Sequence, residues 1–195
     1  MRRGEGLSPE PSTLNCKLTT VNSRTASYGL TDTAIGPLLV AVDGERLVAV
    51  KFGVDEPHLA GALDELRHEL HGVFELTRGD AKVRPIAKQL RDYLAGKRTD
   101  FDVQIDLSWV TPFRREVLLA CARIPRGQVA TYADLARRVG RPRAFRAVGN
   151  TMRTNPIPVV IPCHRVVGAN GSLTGFGGGL DMKRQLLQLE GAVFA

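Results

Sequence analysis

The apolar positions of this chain change period along its length. From Gly36 to Val42 and again from Leu47 to Phe52 they run almost unbroken on either side of Asp43-Gly44, which predicts a β-hairpin closed by an Asp-Gly turn. After Pro57 the spacing lengthens. Leu59, Leu63, Leu66 and Leu70 share one stripe, with Asp64, Glu65 and Glu69 on other faces, as in an amphipathic helix. Pro85 suits the first turn of a second helix, with Ile86, Leu90, Tyr93 and Leu94 on its apolar face and a stop at Gly96. Phe101, Val103, Ile105 and Leu107 alternate with polar residues and predict a strand with one buried face. Residues 1–27, rich in Ser, Thr, Asn, Pro and Gly, read as a mobile tail with at most a short edge strand near its end.

A boundary is expected near 108–111, where Thr111-Pro112 reads as a helix cap followed by proline at the first helical position. Phe113, Val117, Leu118 and Cys121 form the apolar face of that helix, which makes Cys121 a core thiol. Thr131 can cap a short helix from Tyr132 to Val139, closed by Gly140, and a second helix follows from Ala144 to Thr154. Two short helices joined by a glycine-containing turn, the second bearing Arg146 and Arg153, make a helix-turn-helix pattern, which also occurs as packing alone. Next come the apolar run Pro158-Val159-Val160-Ile161-Pro162-Cys163-His164-Arg165, a glycine-rich loop from Gly168 to Gly179, and a last helix from Asp181 to Leu189. Glu190 sits at the unfavourable end of that helix dipole and calls for a cationic partner.

Composition narrows the class. A hydrophobic content of 43% with 24% charged residues is ordinary for a globular protein. No apolar run approaches the roughly 20 residues of a membrane helix, and residues 1–28 lack the apolar core of a signal peptide, so a cytoplasmic location is expected, nucleoid-associated if the source is bacterial. Three cysteines without C-x-x-C spacing argue against a disulfide framework and against zinc. His58, His68 and His71 read as exposed helix histidines. The net charge is +7 and unevenly spread: residues 55–80 hold seven acids against two arginines, and residues 132–195 hold nine basic residues against three acids. A basic C-terminal part fits a polyanionic partner or a solvated surface equally well.

The candidate chemistry is Cys163 beside His164. Proline and packing fix the direction of the thiol, and two potentially cationic neighbours, His164 and Arg165, would favour thiolate. Core packing explains the same residues equally well on local grounds, because adjacent side chains on a strand point to opposite faces.

The run Arg146-Ala147-Val148-Gly149-Asn150-Thr151-Met152-Arg153-Thr154-Asn155-Pro156, followed by Pro162-Cys163-His164-Arg165-Val166, resembles the O6-alkylguanine-DNA alkyltransferases. The likeness extends from Ile124-Pro125-Arg126-Gly127 to Leu187-Gln188-Leu189-Glu190-Gly191, so it covers residues 108–195 densely and the first half by layout only. The resemblance implies that Cys163 accepts the alkyl group, that His164 acts through a water as its base, and that Glu190 orients His164. It implies that Asn155 braces the active-site turn and that Tyr132 crowds the target phosphate and donates a proton to guanine. Arg146 would replace the extruded base in the stack. Met152 and Pro158 would pack the guanine, the backbone around Cys163 and Val166 would read its edge, and Phe176, Gly177 and Arg153 would complete the DNA and base contacts. Phe176 stands where the family often has tyrosine, which makes that wall more apolar.

The fold expected on this basis is an α/β N-terminal domain at 28–108, a small sheet with helices in a ribonuclease H-like layout, preceded by the 1–27 tail. A mostly α C-terminal domain at 109–195, with a winged-helix-like helix-turn-helix, would follow. The expected activity is stoichiometric, irreversible transfer from O6-alkylguanine, and also O4-alkylthymine, in flipped-out DNA to Cys163, without cofactor or metal. The partner would be double-stranded DNA bound through the minor groove by a monomer, with cooperativity along the duplex left open. The competing expectation is a non-catalytic alkylated-DNA-binding or regulatory protein. Binding held mainly by phosphate contacts should weaken steadily as salt rises. A titration whose affinity does not change with salt would contradict that expectation.

Overall fold

The computed structural model describes residues 23–194. Its N-terminal part is a five-stranded sheet built from β1 (Arg24–Thr33), β2 (Gly36–Asp43), β3 (Arg46–Phe52), β4 (Phe74–Arg78) and β5 (Gln104–Ile105), in the order β4-β1-β2-β3-β5. β2 pairs antiparallel with β1 and β3, and the parallel partners are β1 with β4 and β3 with β5. Leu38 to Val42 are fully buried without alternation. The reason is that both faces of the sheet are covered. Leu39, Ala41, Val48 and Ala49 pack against Leu63 and Leu66 of α1 (Leu59–Glu69) and Leu70 just after it. On the other face Leu38, Val40 and Val42 join Val83, Ile86 and Leu90 of α2 (Asp80–Leu94), in a core that continues into the C-terminal part.

The hairpin and α1 form where the hydrophobic pattern places them, three expectations are corrected and one strand, β4, is new. β1 begins at Arg24, inside the supposed tail, and is an interior strand bonded to β4 and β2. Its own sequence, Arg24-Thr25-Ala26-Ser27-Tyr28-Gly29, carries little apolar signal, so its place is set by its neighbours. Arg24 reinforces it by hydrogen bonds to Asp43, Asp106 and Ser108 while lying over the Phe74 ring. β4 is unheralded for the same reason. Helix α2 starts at Asp80, which puts Pro85 in its second turn, where it removes a single early backbone bond. The expected strand from Phe101 shrinks to Gln104–Ile105, because the Gln89 side-chain amide takes both backbone groups of Asp102 in place of a neighbouring strand. Residues 1–22, including Cys16, lie outside the described residues.

The C-terminal part is helical. α3 (Pro112–Ala122) has Thr111 at its cap position and proline first, and buries Val117, Leu118 and Cys121. β6 (Ala130–Thr131) leads into α4 (Tyr132–Arg138), where Thr131 and Asp134 form a reciprocal capping box. Gly140, at φ +70°, turns the chain toward α5 (Phe145–Arg153), which buries Val148 and Met152 and leaves Phe145 and Arg146 exposed. A single 3-10 turn (Cys163–Arg165), β7 (Val166–Val167, parallel to β6) and α6 (Gly179–Leu189) follow. The two parts meet along β3. Beyond its short pairing with β5, the edge of β3 is taken by the loop after α5, where Val50 N–H donates to Pro156 O at 2.8 Å. No helix among the described residues is long and apolar enough to cross a membrane.

Leu118 is fully buried in the core that the two parts share, so Leu118→Ala should cost about 2–5 kcal/mol. Thr131→Ala removes only a cap and should cost about 1 kcal/mol. Equilibrium urea unfolding separates the two, and equal losses would contradict the assignment of the core.

Candidate active site

The cysteine is carried by an unusual piece of backbone. After α5 the chain makes a tight turn from Asn155 to Pro162. Asn155 holds it from within, accepting from Ile157 N–H at 3.0 Å and donating through Nδ2 to Ile161 O at 2.9 Å. Val159 adopts φ +73°, a left-handed conformation that costs a β-branched residue on the order of 1–3 kcal/mol and persists because its surroundings impose it. Pro158 and Pro162 flank it, and its side chain is 1% exposed. Cys163 then opens a 3-10 turn, in which successive side chains diverge by about 120° and not by the 180° of a strand. Cys163 and His164 therefore need not face opposite sides, which removes the objection raised by a strand reading.

His164, Arg165 and Glu190 form one buried network. His164 Nε2 lies 2.6 Å from Glu190 Oε1, and both side chains are fully buried. Arg165 donates from Nε to Oε2 at 2.7 Å and from Nη2 to Oε1 at 3.1 Å, and its Nη1 bonds Ile124 O. The Tyr93 hydroxyl, from α2, donates to Glu190 Oε1 and accepts from Arg165 Nη2 at 3.1 Å. Burial by itself would raise the Glu190 carboxyl, but hydrogen bonds and charge from His164 and Arg165, with Tyr93, hold it at about 2. Burial lowers the His164 pKa against the opposing pull of Glu190. The imidazole is thus neutral, with its Nε2–H donating to the carboxylate. His164 Nδ1 is buried and has no hydrogen-bond partner among the described residues.

These pairings correct the expected electrostatics of Cys163. Arg165 spends its charge on Glu190 and His164 is uncharged, so neither side chain supplies positive charge to a thiolate, and His164 favours it only through its backbone N–H. Burial pushes the thiol up to about 11, against smaller opposing effects of an Asn155 hydrogen bond and the Lys183 charge. Lys183 was not foreseen. It is fully buried on α6, donates to Val166 O at 2.5 Å and Thr174 O at 2.7 Å, and burial lowers its pKa to about 8. Its signal in the sequence was a lysine on the same helical face as Leu186 and Leu187. Tyr93 and Arg165 were also missed as members of the network, since nothing local links them to Glu190.

Cys163 lies on a cavity of about 260 Å³. Met152, Arg153, Asn155, Pro158, Phe176 and Gly177 line it with the cysteine, so seven of the expected site residues converge there. The N-terminal part adds Val50, Lys51 and Phe52, with Glu65 and Glu69 at the rim paired to Lys51. Phe52 packs on Phe176 at 5.6 Å, and Phe176 meets the His164 ring edge-on at 6.4 Å. Three expected residues stand apart. Tyr132 is tied to the glycine loop, its hydroxyl accepting from Thr174 Oγ1 at 3.2 Å. Arg146 is exposed on α5. Val166 is fully buried beneath the site, its N–H donating to Cys163 O and its carbonyl holding Lys183. No cluster of three metal-type ligands occurs among the described residues. A larger cleft, about 650 Å³ between β1 and α2, carries charges such as Arg78 that are paired with Glu56 and Asp80, and it holds no nucleophile.

The depressed Glu190 pKa has a sign that can be measured. A carboxyl held at about 2 in the folded state against an ordinary 4.5 adds stability that is fully present above 4.5 and is lost as pH falls toward 2. Glu190→Gln should therefore flatten the acid side of the stability curve, and at neutral pH it should cost about 3–5 kcal/mol by leaving Arg165 buried without its partner. Urea unfolding at about pH 3 and about pH 7 checks this, and an unchanged difference between the two in the variant would contradict it.

Both parts of the chain match known proteins. Residues 112–192 match the 6-O-methylguanine DNA methyltransferase DNA-binding domain, and residues 26–107 match the ribonuclease-like domain of the same family. A methylated-DNA–protein-cysteine methyltransferase of Methanosarcina acetivorans is 38% identical over 165 residues, spanning 85% of this chain and 98% of that one. Mycobacterium tuberculosis OGT, solved in complex with DNA, superposes with a TM-score of 0.69 at 36% identity over 85% of this chain and 92% of that chain. The O6-methylguanine-DNA methyltransferase of Pyrococcus kodakaraensis gives 0.65 at 27% identity over 86% and 100%. With both domain models matched in order and this identity over most of its length, the chain belongs to the 6-O-methylguanine DNA methyltransferase family.

Proposed function

We propose that the protein repairs alkylated double-stranded DNA by moving the alkyl group from O6-alkylguanine, and from O4-alkylthymine, to its own Cys163, once per molecule. The observation that carries this reading is the buried Cys163–His164–Glu190 arrangement beside a cavity. Because Nε2 donates to Glu190, Nδ1 keeps a lone pair that can take a proton. The resting thiol is protonated, so its proton leaves as the bond forms, passing through a water to Nδ1. Sulfur attacks the alkyl carbon, the carbon–O6 bond breaks, and its electron pair passes to the guanine. A proton delivered through Tyr132 completes the base, and in net terms alkyl group and thiol hydrogen change places. The resulting thioether has no neighbour able to hydrolyse it, so the cysteine is spent and no cofactor enters the balance.

The substrate reaches the cavity by flipping, at a cost of a few kcal/mol that is smallest for a poorly paired alkylated base. α4, α5 and the β6–β7 pair act as a winged-helix-like reader in the minor groove, with the exposed Arg146 filling the gap left in the stack. Met152, Pro158, Phe176 and Gly177 hold the base, and Arg153 faces the phosphates at the cavity mouth. Val166 supports the site from below and its carbonyl is committed to Lys183. On this reading residues 109–195 bind and react, and the sheet domain, extended to Arg24, braces them.

Incubation with a duplex carrying O6-methylguanine should add one methyl group to the peptide containing Cys163, and a second addition of substrate to the same molecules should add nothing. A duplex bound but left unmodified would overturn the proposal in favour of a binding module. Arg146→Ala should slow transfer at limiting DNA by about tenfold or more, the scale of a stacking contact worth ~1–3 kcal/mol, while thermal unfolding stays unchanged.

A further inference from the structure

We infer that Tyr93, a residue of the N-terminal domain, is a positioning residue of the transfer reaction, acting through Glu190 on His164. This rests on the relay assigned above. Tyr93 belongs to α2, and its hydroxyl reaches across the domain boundary to the Glu190 oxygen that also receives His164 Nε2. Three donors converge on that one atom: Tyr93, His164 and Arg165 Nη2. The same hydroxyl accepts from Arg165, so it closes a ring of hydrogen bonds around the carboxylate. Arg165 fixes the other oxygen and is itself tied to Ile124 O. The orientation of Glu190, and with it the tautomer and tilt of the imidazole, is therefore shared between the two domains.

Packing does not account for the hydroxyl. The Tyr93 ring is stacked on Phe101 at 4.5 Å and is 1% exposed, an environment that a phenylalanine ring would fill equally well. Burial and the adjacent Glu190 push its pKa to about 12, so it remains a donor to the carboxylate over the whole working pH range. The groups facing Glu190 are His164 and Arg165 from the 3-10 turn and Tyr93 from α2. Arg126, nearby, engages the carbonyl of Leu189.

Tyr93→Phe keeps the ring and removes only this function. In single-turnover transfer from an O6-methylguanine duplex it should lower the saturating rate about tenfold and leave the half-saturating DNA concentration unchanged. Because the carboxylate loses a donor, Glu190 should protonate at higher pH, and the acid limb of the rate–pH profile should move up with it. His164→Gln should be slower by about 100-fold. Adding Tyr93→Phe to it should cost nothing further, because both act on one step. A saturating rate and acid limb identical to the parent protein in Tyr93→Phe, or a full additional loss in the double variant, overturns the role of Tyr93 while leaving the relay intact. If His164→Gln transfers as fast as the parent protein, the relay itself fails and Tyr93 with it. Should Tyr93→Phe not fold, Phe101→Leu, which loosens the ring without removing a hydrogen bond, carries the same test: an unchanged saturating rate there overturns the inference.

Discussion

The interaction on which the site depends is the buried Glu190 carboxylate and its donors. A carboxylate out of water is costly unless charge and hydrogen bonds replace hydration, and here a histidine, an arginine and a tyrosine do so together. The carboxylate stands at the end of α6, and its donors come from the 3-10 turn carrying Cys163 and from α2 in the other domain. One charge thereby fixes how three pieces of chain meet. Its position after the last residue of α6 is unfavourable for the helix dipole, and the network offsets that cost.

The same network decides the state of the nucleophile. Glu190 pairs with Arg165 and accepts the Nε2–H hydrogen bond of His164, so burial outweighs the Lys183 charge at Cys163 and raises its pKa to about 11. A thiol held in this way is protected from adventitious oxidation and alkylation, because the thiolate is the reactive form. Reactivity is confined to the moment when a base and an electrophile are both in place. For a cysteine used once, that restraint matters more than speed at rest.

Rigidity around the cysteine is distributed in a comparable way. Asn155 clamps the turn that forces Val159 into a left-handed conformation, and the edge of β3 holds Pro156. Lys183 ties the strand after the turn to the glycine loop through two carbonyls. Phe52 reaches from the sheet to Phe176 over the cavity. The N-terminal domain, which has no cysteine among its described residues, is thus part of the wall and of the hydrogen-bond network.

Local pattern determined much of this protein. The β2–β3 hairpin, α1, α3 and the α4–α5 pair follow from apolar period, caps and glycines. Cys163, His164, Asn155 and Glu190 stand out as residue types placed for nucleophilic chemistry once the family resemblance is recognised. The sequence could not show β1 and β4, whose apolar signal is weak and whose positions come from backbone pairing with remote strands. It misplaced the start of α2, since a proline is tolerated one turn later than its commonest position. Tertiary structure alone decided the electrostatics. Arg165 beside Cys163 looked like a source of thiolate stabilisation, and its charge is committed to a carboxylate 25 residues away. Tyr93 gave no sign of involvement and Lys183 only its place on the apolar face of α6, because burial and hydrogen-bond partners are set by folding, and those two quantities fix the protonation of Cys163 and His164.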